Sequence, residues 1–180
     1  MSLSPSVTTP RRSLALLAAA LAGSLAVALT ITASGGVDAF QHHAGRLAPL
    51  LTVPAHVALT LTPIGEVIPF GAANGALYGL ALGAVLNWTA WMLAAGLQRA
   101  VGVTATREGV VLPGWLARLP LTHPAVLVAG RWAPGGGVLV DAAAGAAGVP
   151  LRQHLALAAL GHAPQAVLIA AVGAGLVHLL

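Results

Sequence analysis

The chain has 180 residues, 58% hydrophobic and only 7% charged, with a mean hydropathy of +0.90. Soluble domains carry about 25% charged residues, so this composition excludes a water-soluble globule, and its apolarity excludes disorder away from the ends. Eight arginines and no lysine oppose four acidic residues to give +4, but they are scattered through apolar sequence and form no nucleic-acid patch. With no cysteine, disulfides, thiol catalysis and cysteine-held metal are excluded.

Residues 1–13 read as a polar, proline-punctuated cytoplasmic tail containing Arg11-Arg12. Residues 14–33 then run without a charge for about 30 Å, the thickness of a bilayer core, and read as a first transmembrane helix. The same stretch has the positive start and small-residue end of a secretory signal peptide, with a faint twin-arginine character. It is longer than the usual apolar region of such a peptide, and more membrane-like sequence follows, which favours an uncleaved span. Residues 34–49 read as an aqueous loop carrying Asp38, His42, His43 and Arg46.

Residues 50–70 are apolar but contain Pro54, Pro63 and Pro69, with Glu66 between the last two. Proline removes a helix donor and clashes with the preceding turn, so no single regular span is expected. Broken backbone at membrane depth must be buried in protein or line a wet cavity, which predicts a re-entrant hairpin. Residues 71–98 read as one uncharged crossing helix, with Gly71, Gly75, Gly79 and Gly83 spaced by four and therefore expected on one packing face. Residues 99–122 carry Arg99, Arg107 and Arg118 against Glu108 and read as a cytoplasmic segment, consistent with the positive-inside rule if the amino terminus is also inside. Within it Pro113 could begin a short interfacial helix, with Leu112, Trp115, Leu116 and Leu119 on its apolar stripe.

Residues 124–150 repeat the interrupted pattern, with Arg131, Pro134, Gly135, Gly136, Gly137 and Asp141, and predict a second hairpin from the opposite face. Ala72-Ala73-Asn74-Gly75-Ala76 lies 70 residues before Ala142-Ala143-Ala144-Gly145-Ala146, a faint internal repeat. Paired interruptions at corresponding places in two halves point to a transport site between inverted repeats. Residues 153–178 read as the final helix or helices, with Pro164 as a kink or a new start. The expected fold is thus an all-α integral membrane protein, with transmembrane helices and two oppositely entering re-entrant helical hairpins.

Glu66, Arg131 and Asp141 are the ionisable residues expected at membrane depth, where charge is costly and faces a partner or a cavity. Two readings of Arg131 stand side by side. It neutralises Asp141 or Glu66, or, beside the N–H groups of the Pro134–Gly137 stretch, it binds a phosphate with its planar fork. Glu66 in a low-dielectric cleft could exchange a proton. Seven histidines show no zinc-ligand spacing and read as loop or helix-end residues, and the tryptophans at 88, 91, 115 and 132 as packing or interface anchors. No nucleophile-elbow, Walker or dinucleotide-binding motif is present, so no catalytic residue, metal or cofactor is expected.

Pro63-Ile-Gly-Glu66-Val-Ile-Pro69 with the Ala-Asn-Gly-Ala-Leu-Tyr-Gly run, then Arg99-Ala-Val-Gly102, then Gly130-Arg131-Trp-Ala-Pro134 with Asp141 and Ala-Ala-Ala-Gly145, together resemble the DedA/VTT-domain family, also labelled SNARE-associated Golgi proteins. The resemblance covers residues 50–178. An arginine common in the family just after the Arg-x-x-Pro proline is replaced here by Gly135–Gly137, and 67–98 lacks the acid of some bacterial members, so the chain is closer to the VTT branch. The resemblance implies two hairpins meeting from opposite faces and movement of lipids between leaflets, with Glu66 as the first-hairpin acid and Arg131 as the second-hairpin arginine. The expected function is a lipid translocase or scramblase acting on a phospholipid or polyprenyl phosphate in a bacterial plasma membrane, with membrane lipids and a further copy of the chain as partners. The alternatives are a non-transporting scaffold binding a partner protein through the glycine face, and, with least support, a lipid-modifying enzyme.

Overall fold

The computed structural model describes residues 45–61, 67–111, 113–133 and 135–179, with isolated positions upstream, and side chains within these ranges except at 46, 67, 69 and 176–179. The tail 1–13, most of the expected 14–33 helix, Glu66 and Pro134 lie outside the described residues. Among the described residues the chain is helical, with no strand. A 3-10 turn at Gly45–Leu47 leads into α1 (Ala48–Thr60), followed by α2 (Val67–Arg107), α3 (Gly114–Ala117), α4 (Pro124–Ala129) with a 3-10 extension at Gly130–Trp132, α5 (Gly136–Ala146) and α6 (Leu151–Leu179).

Pro54 does not interrupt the 50–70 segment, because α1 runs through it and ends at Thr60. Pro69 stands in the first turn of α2, where a missing N–H costs nothing since that donor has no intrahelical partner. Pro164 lies inside α6 without ending it.

The larger correction concerns residues 71–98, expected to be one helix with four glycines on a single face. Gly79 has φ +74° and ψ 172°, a conformation essentially reserved for glycine, and α2 turns back on itself there. Asn87 Nδ2 donates to Gly71 O at 3.0 Å, whereas sixteen residues of straight helix would separate them by about 24 Å. Residues 67–78 therefore form a short arm lying against a long arm, 80–107. The periodicity of four holds on both arms, but the glycines serve different ends: Gly79 is the pivot, Gly83 meets the backbone of Asn74 and Gly75, Gly75 meets Ala170, and Gly71 meets Asn87 and Ile169. The helix also continues to Arg107, nine residues past its expected end, so the segment 99–122 begins as helix.

α6 lies along the long arm in the opposite direction. Trp88 Nε1 donates to Ala159 O, and further along His154 Nε2 donates to Ala95 O. Small residues bring the remaining elements to backbone contact, and they do so reciprocally. A Cβ on Gly75 would overlap Ala170 O, and 70 residues on a Cβ on Gly145 would overlap Arg99 O, which lies 71 residues before Ala170. A Cβ on Gly173 would overlap Ala72 O, and one on Gly102 would overlap Ala142 O, the same pair displaced by 71 and 70. Val57 packs with Ala90, and Val128 with Gly161, again 71 residues apart in both members. Each half thus grips the long helix of the other.

Polar side chains are buried beside the apolar core while many large apolar ones face outward. Asn74, Asn87, Gln98, Arg131, Asp141, His154 and His162 are buried, while Leu82, Val85 and Leu93 of α2 and Leu160, Val167 and Leu168 of α6 face outward. Segments Phe70–Arg107 and Leu151–Gly175 contain helix long and apolar enough to cross a membrane, and the long arm of α2 alone spans about 42 Å. In the 113–119 stretch only Leu116 of the expected stripe is buried among the described residues, Trp115 and Leu119 are exposed, and Pro113 caps α3 from outside it.

Candidate functional site

The second interrupted segment folds as α4, its 3-10 extension and α5, joined by a tight turn. Gly135 takes φ +68° at that turn, and at Gly136 any Cβ would overlap Gly130 O, so a side chain would force the two limbs apart. Gly137 has open space around a would-be Cβ. Of the three glycine N–H groups expected to cradle an anion, that of Gly136 already donates to Ala133 O at 2.8 Å, because the same turn that joins the limbs consumes it.

This turn places Arg131 on one limb and Asp141 on the other. Arg131 Nη2 donates to Asp141 Oδ1 at 2.5 Å, with the residues 4% and 1% exposed. The pairing expected as the plainer reading of Arg131 is therefore present. It leaves most of the guanidinium unused: Nε and Nη1 are buried and have no hydrogen-bond partner in the structure. Arginine has five N–H donors in a rigid fork, so one carboxylate oxygen cannot satisfy it. Gly161 makes room for the side chain, since a Cβ there would press on Arg131 Cδ.

Two histidines of α6 complete the site. His154 Nε2 lies 3.6 Å from Asp141 Oδ1 and 3.2 Å from Ala95 O. A carbonyl only accepts, so Nε2 carries the proton, and Nδ1 is left buried without a partner. His162, two turns further along α6, is also buried with its Nδ1 unpaired, and Gln165 Nε2 reaches Arg131 O at 3.3 Å. Arg99, expected as one of the arginines of the cytoplasmic segment, donates through Nε and Nη2 to Val149 O at 2.9 and 2.6 Å and ties the long arm to the turn before α6.

A second polar cluster joins α1 to the two arms of α2. Asn74 Nδ2 donates to Asn87 Oδ1 at 2.8 Å and approaches His56 Nδ1 at 3.5 Å. The His56 ring lies 5.7 Å from both Phe70 and Trp91. The expectation of loop or helix-end histidines is thus overturned at His56 and His162, buried within helices, while His154 stands in the first turn of α6 as expected but is buried. A readable signal was present for His56 and His162, which stand in uncharged sequence, but not for His154, which follows the exposed Arg152-Gln153 pair. Among the described residues no group of three or more His, Asp or Glu side chains is placed to hold a metal ion.

Glu66 lies outside the described residues, so its distance to Arg131 is not part of this geometry. Gly71, Gly75 and Gly83 are engaged by other parts of the chain, which uses internally the face that a glycine-mediated scaffold would offer to a partner. The chain matches no family model, no curated protein and no solved structure.

Proposed function

We propose that the chain is an integral membrane protein that carries a phosphate-bearing lipid between leaflets, with the headgroup held at Arg131. The single observation that supports this most is a guanidinium inside an apolar body with one N–H group paired and Nε and Nη1 unpartnered. A charge at such depth is costly and is retained where it meets a ligand or a cavity. The outward apolar faces of α2 and α6 suit acyl chains, and the buried polar residues suit a headgroup. The resemblance to the DedA/VTT-domain family points the same way.

In this reading α1 with the short arm of α2, and α4 with α5, are the two re-entrant hairpins, and the long arm of α2 and α6 are the spans they accompany. The reciprocal contacts at an offset of 70–71 residues support an inverted repeat, because the two long helices run in opposite directions. The phosphate accepts from Nε and Nη1 as water is left behind, lowering the barrier to its passage, while the acyl chains stay in the bilayer. Asp141 holds the fork in place through Nη2, and no bond in the lipid is made or broken. Glu66 is assigned the exchange of a proton as the headgroup passes.

The test is leaflet exchange of a fluorescent phospholipid and of a polyprenyl phosphate in liposomes bearing the purified chain. Arg131→Ala should abolish exchange of the lipid that wild type carries. Because that variant leaves Asp141 without its cation, Arg131→Met with Asp141→Leu is tested beside it and should fold but not transport. Exchange at the wild-type rate by the folded double variant would overturn the assignment of Arg131.

A further inference from the structure

The reciprocal contacts have a centre. Trp88 and Ala159 are 71 residues apart and touch each other, and so are Trp91 and His162, whose rings lie 5.5 Å apart. Under a two-fold relation only residues at the axis meet their own counterparts, so Trp91 and His162 stand where the two halves cross. Trp91 is buried, and it also packs edge-on with His56 at 5.7 Å, with the rings at 78°. The indole therefore touches a histidine of the α1–α2 polar cluster and a histidine beside the Arg131 cluster.

Both clusters hold buried polar atoms that the protein does not satisfy. On one side, Asn74 Nδ2 can only donate, so His56 Nδ1 accepts and His56 Nε2 carries the proton. That N–H has no acceptor, and Thr52 Oγ1, one turn earlier on α1, also has no partner. Thr52 is 3% and His56 0% exposed. On the other side stand Arg131 Nε and Nη1, His154 Nδ1 and His162 Nδ1. The groups include both donors and a lone-pair acceptor, the bare Nδ1 of His154, so no single ion satisfies them, whereas water does both. Polar groups away from bulk water are normally hydrogen-bonded, and bound water is the usual partner when protein supplies none.

We propose that the interior binds two clusters of water, one at Thr52 and His56 and one at Arg131, His154 and His162, and that the Trp91 indole between them is the seal that stops the chain from conducting protons. The polar side chains of the two clusters are Thr52, His56, Asn74 and Asn87 on one side and Arg131, Asp141, His154, His162 and Gln165 on the other. An unbroken file of water and imidazole would pass protons, and the indole, whose face offers neither a lone pair nor a transferable proton, interrupts it. This rests on the membrane placement of the helices, not on which lipid is carried.

The experiment is proton influx into liposomes containing the full chain, read with an enclosed pH-sensitive dye under a potassium gradient and valinomycin. Wild type and Trp91→Phe should both be tight. Trp91→Ala, which opens most space, and Trp91→His, which opens less and supplies a relay, should each leak several-fold faster. If both are monodisperse with wild-type melting and leak no faster than wild type, the seal is refuted. Water-to-nitrogen magnetisation transfer in the wild-type protein, labelled with ¹⁵N-histidine and held in bilayers, decides the water sites independently. His56, His154 and His162 should receive it, and no transfer to His56 would overturn the first cluster. Lipid exchange measured on the same liposomes keeps the two proposals apart: absent exchange with the leak in Trp91→Ala removes the lipid reading alone.

Discussion

Removing the Asp141 carboxylate probes the buried pair directly. Asp141 accepts from Arg131 at 2.5 Å and lies 3.6 Å from His154, and no other carboxylate among the described residues is paired with Arg131. Asp141→Ala leaves a guanidinium, 4% exposed, without its counter-charge, which costs about 3–5 kcal/mol. That corresponds to a loss of roughly two to three and a half powers of ten in the folding equilibrium. Asp141→Asn keeps an acceptor of the same shape but not the charge, and charge-assisted hydrogen bonds are about twice as strong as neutral ones, so its loss should be intermediate. Arg131→Met with Asp141→Leu removes both charges and should return to within about 1 kcal/mol of wild type or exceed it. Equilibrium unfolding in mixed micelles, titrated with a denaturing detergent and followed by tryptophan fluorescence, measures all four proteins. Trp91, ringed by His56 and His162, reports on the core. A loss below about 1 kcal/mol for Asp141→Ala, or a double variant as damaged as the single one, would refute the dependence of Arg131 on Asp141.

Gly79→Ala tests the chain reversal alone, because no neighbouring atom lies within 4 Å of the added Cβ, so only backbone strain of about 1–3 kcal/mol is expected. An unchanged unfolding midpoint would contradict the left-handed pivot. Gly102→Ala and Gly173→Ala each drive a Cβ into a carbonyl of the opposite half and should cost comparable amounts, about 1–3 kcal/mol, if the halves are related as their contacts imply. Tolerance at one site with collapse at the other, measured by the same unfolding assay, would break that relation.

The helical, outward-apolar character was legible because composition alone forbids water on most of the surface: with 7% charged residues spread along the chain, long apolar helices have no soluble face to offer. The interruption of residues 124–150 was legible too, since Arg131 and Asp141 flank a glycine turn, and the fold brings the two side chains, ten residues apart, into contact across it. The 70-residue repeat was faint in sequence but is matched by contacts, because alanine and glycine leave little identity to compare while the close approaches they permit are specific. The reversal at Gly79 was not legible. Glycines at intervals of four describe one face of a straight helix equally well as two arms and a pivot, and the choice rests on Asn87 reaching Gly71 and on Gly83 meeting Asn74, contacts that exist only after folding. The same holds for the interior. Composition determined that polar side chains in this chain must find partners within it, but which histidines turn inward, and that Trp91 packs against two of them, was decided by how two long helices cross, since small residues allow many registers and only the packed tertiary structure selects one.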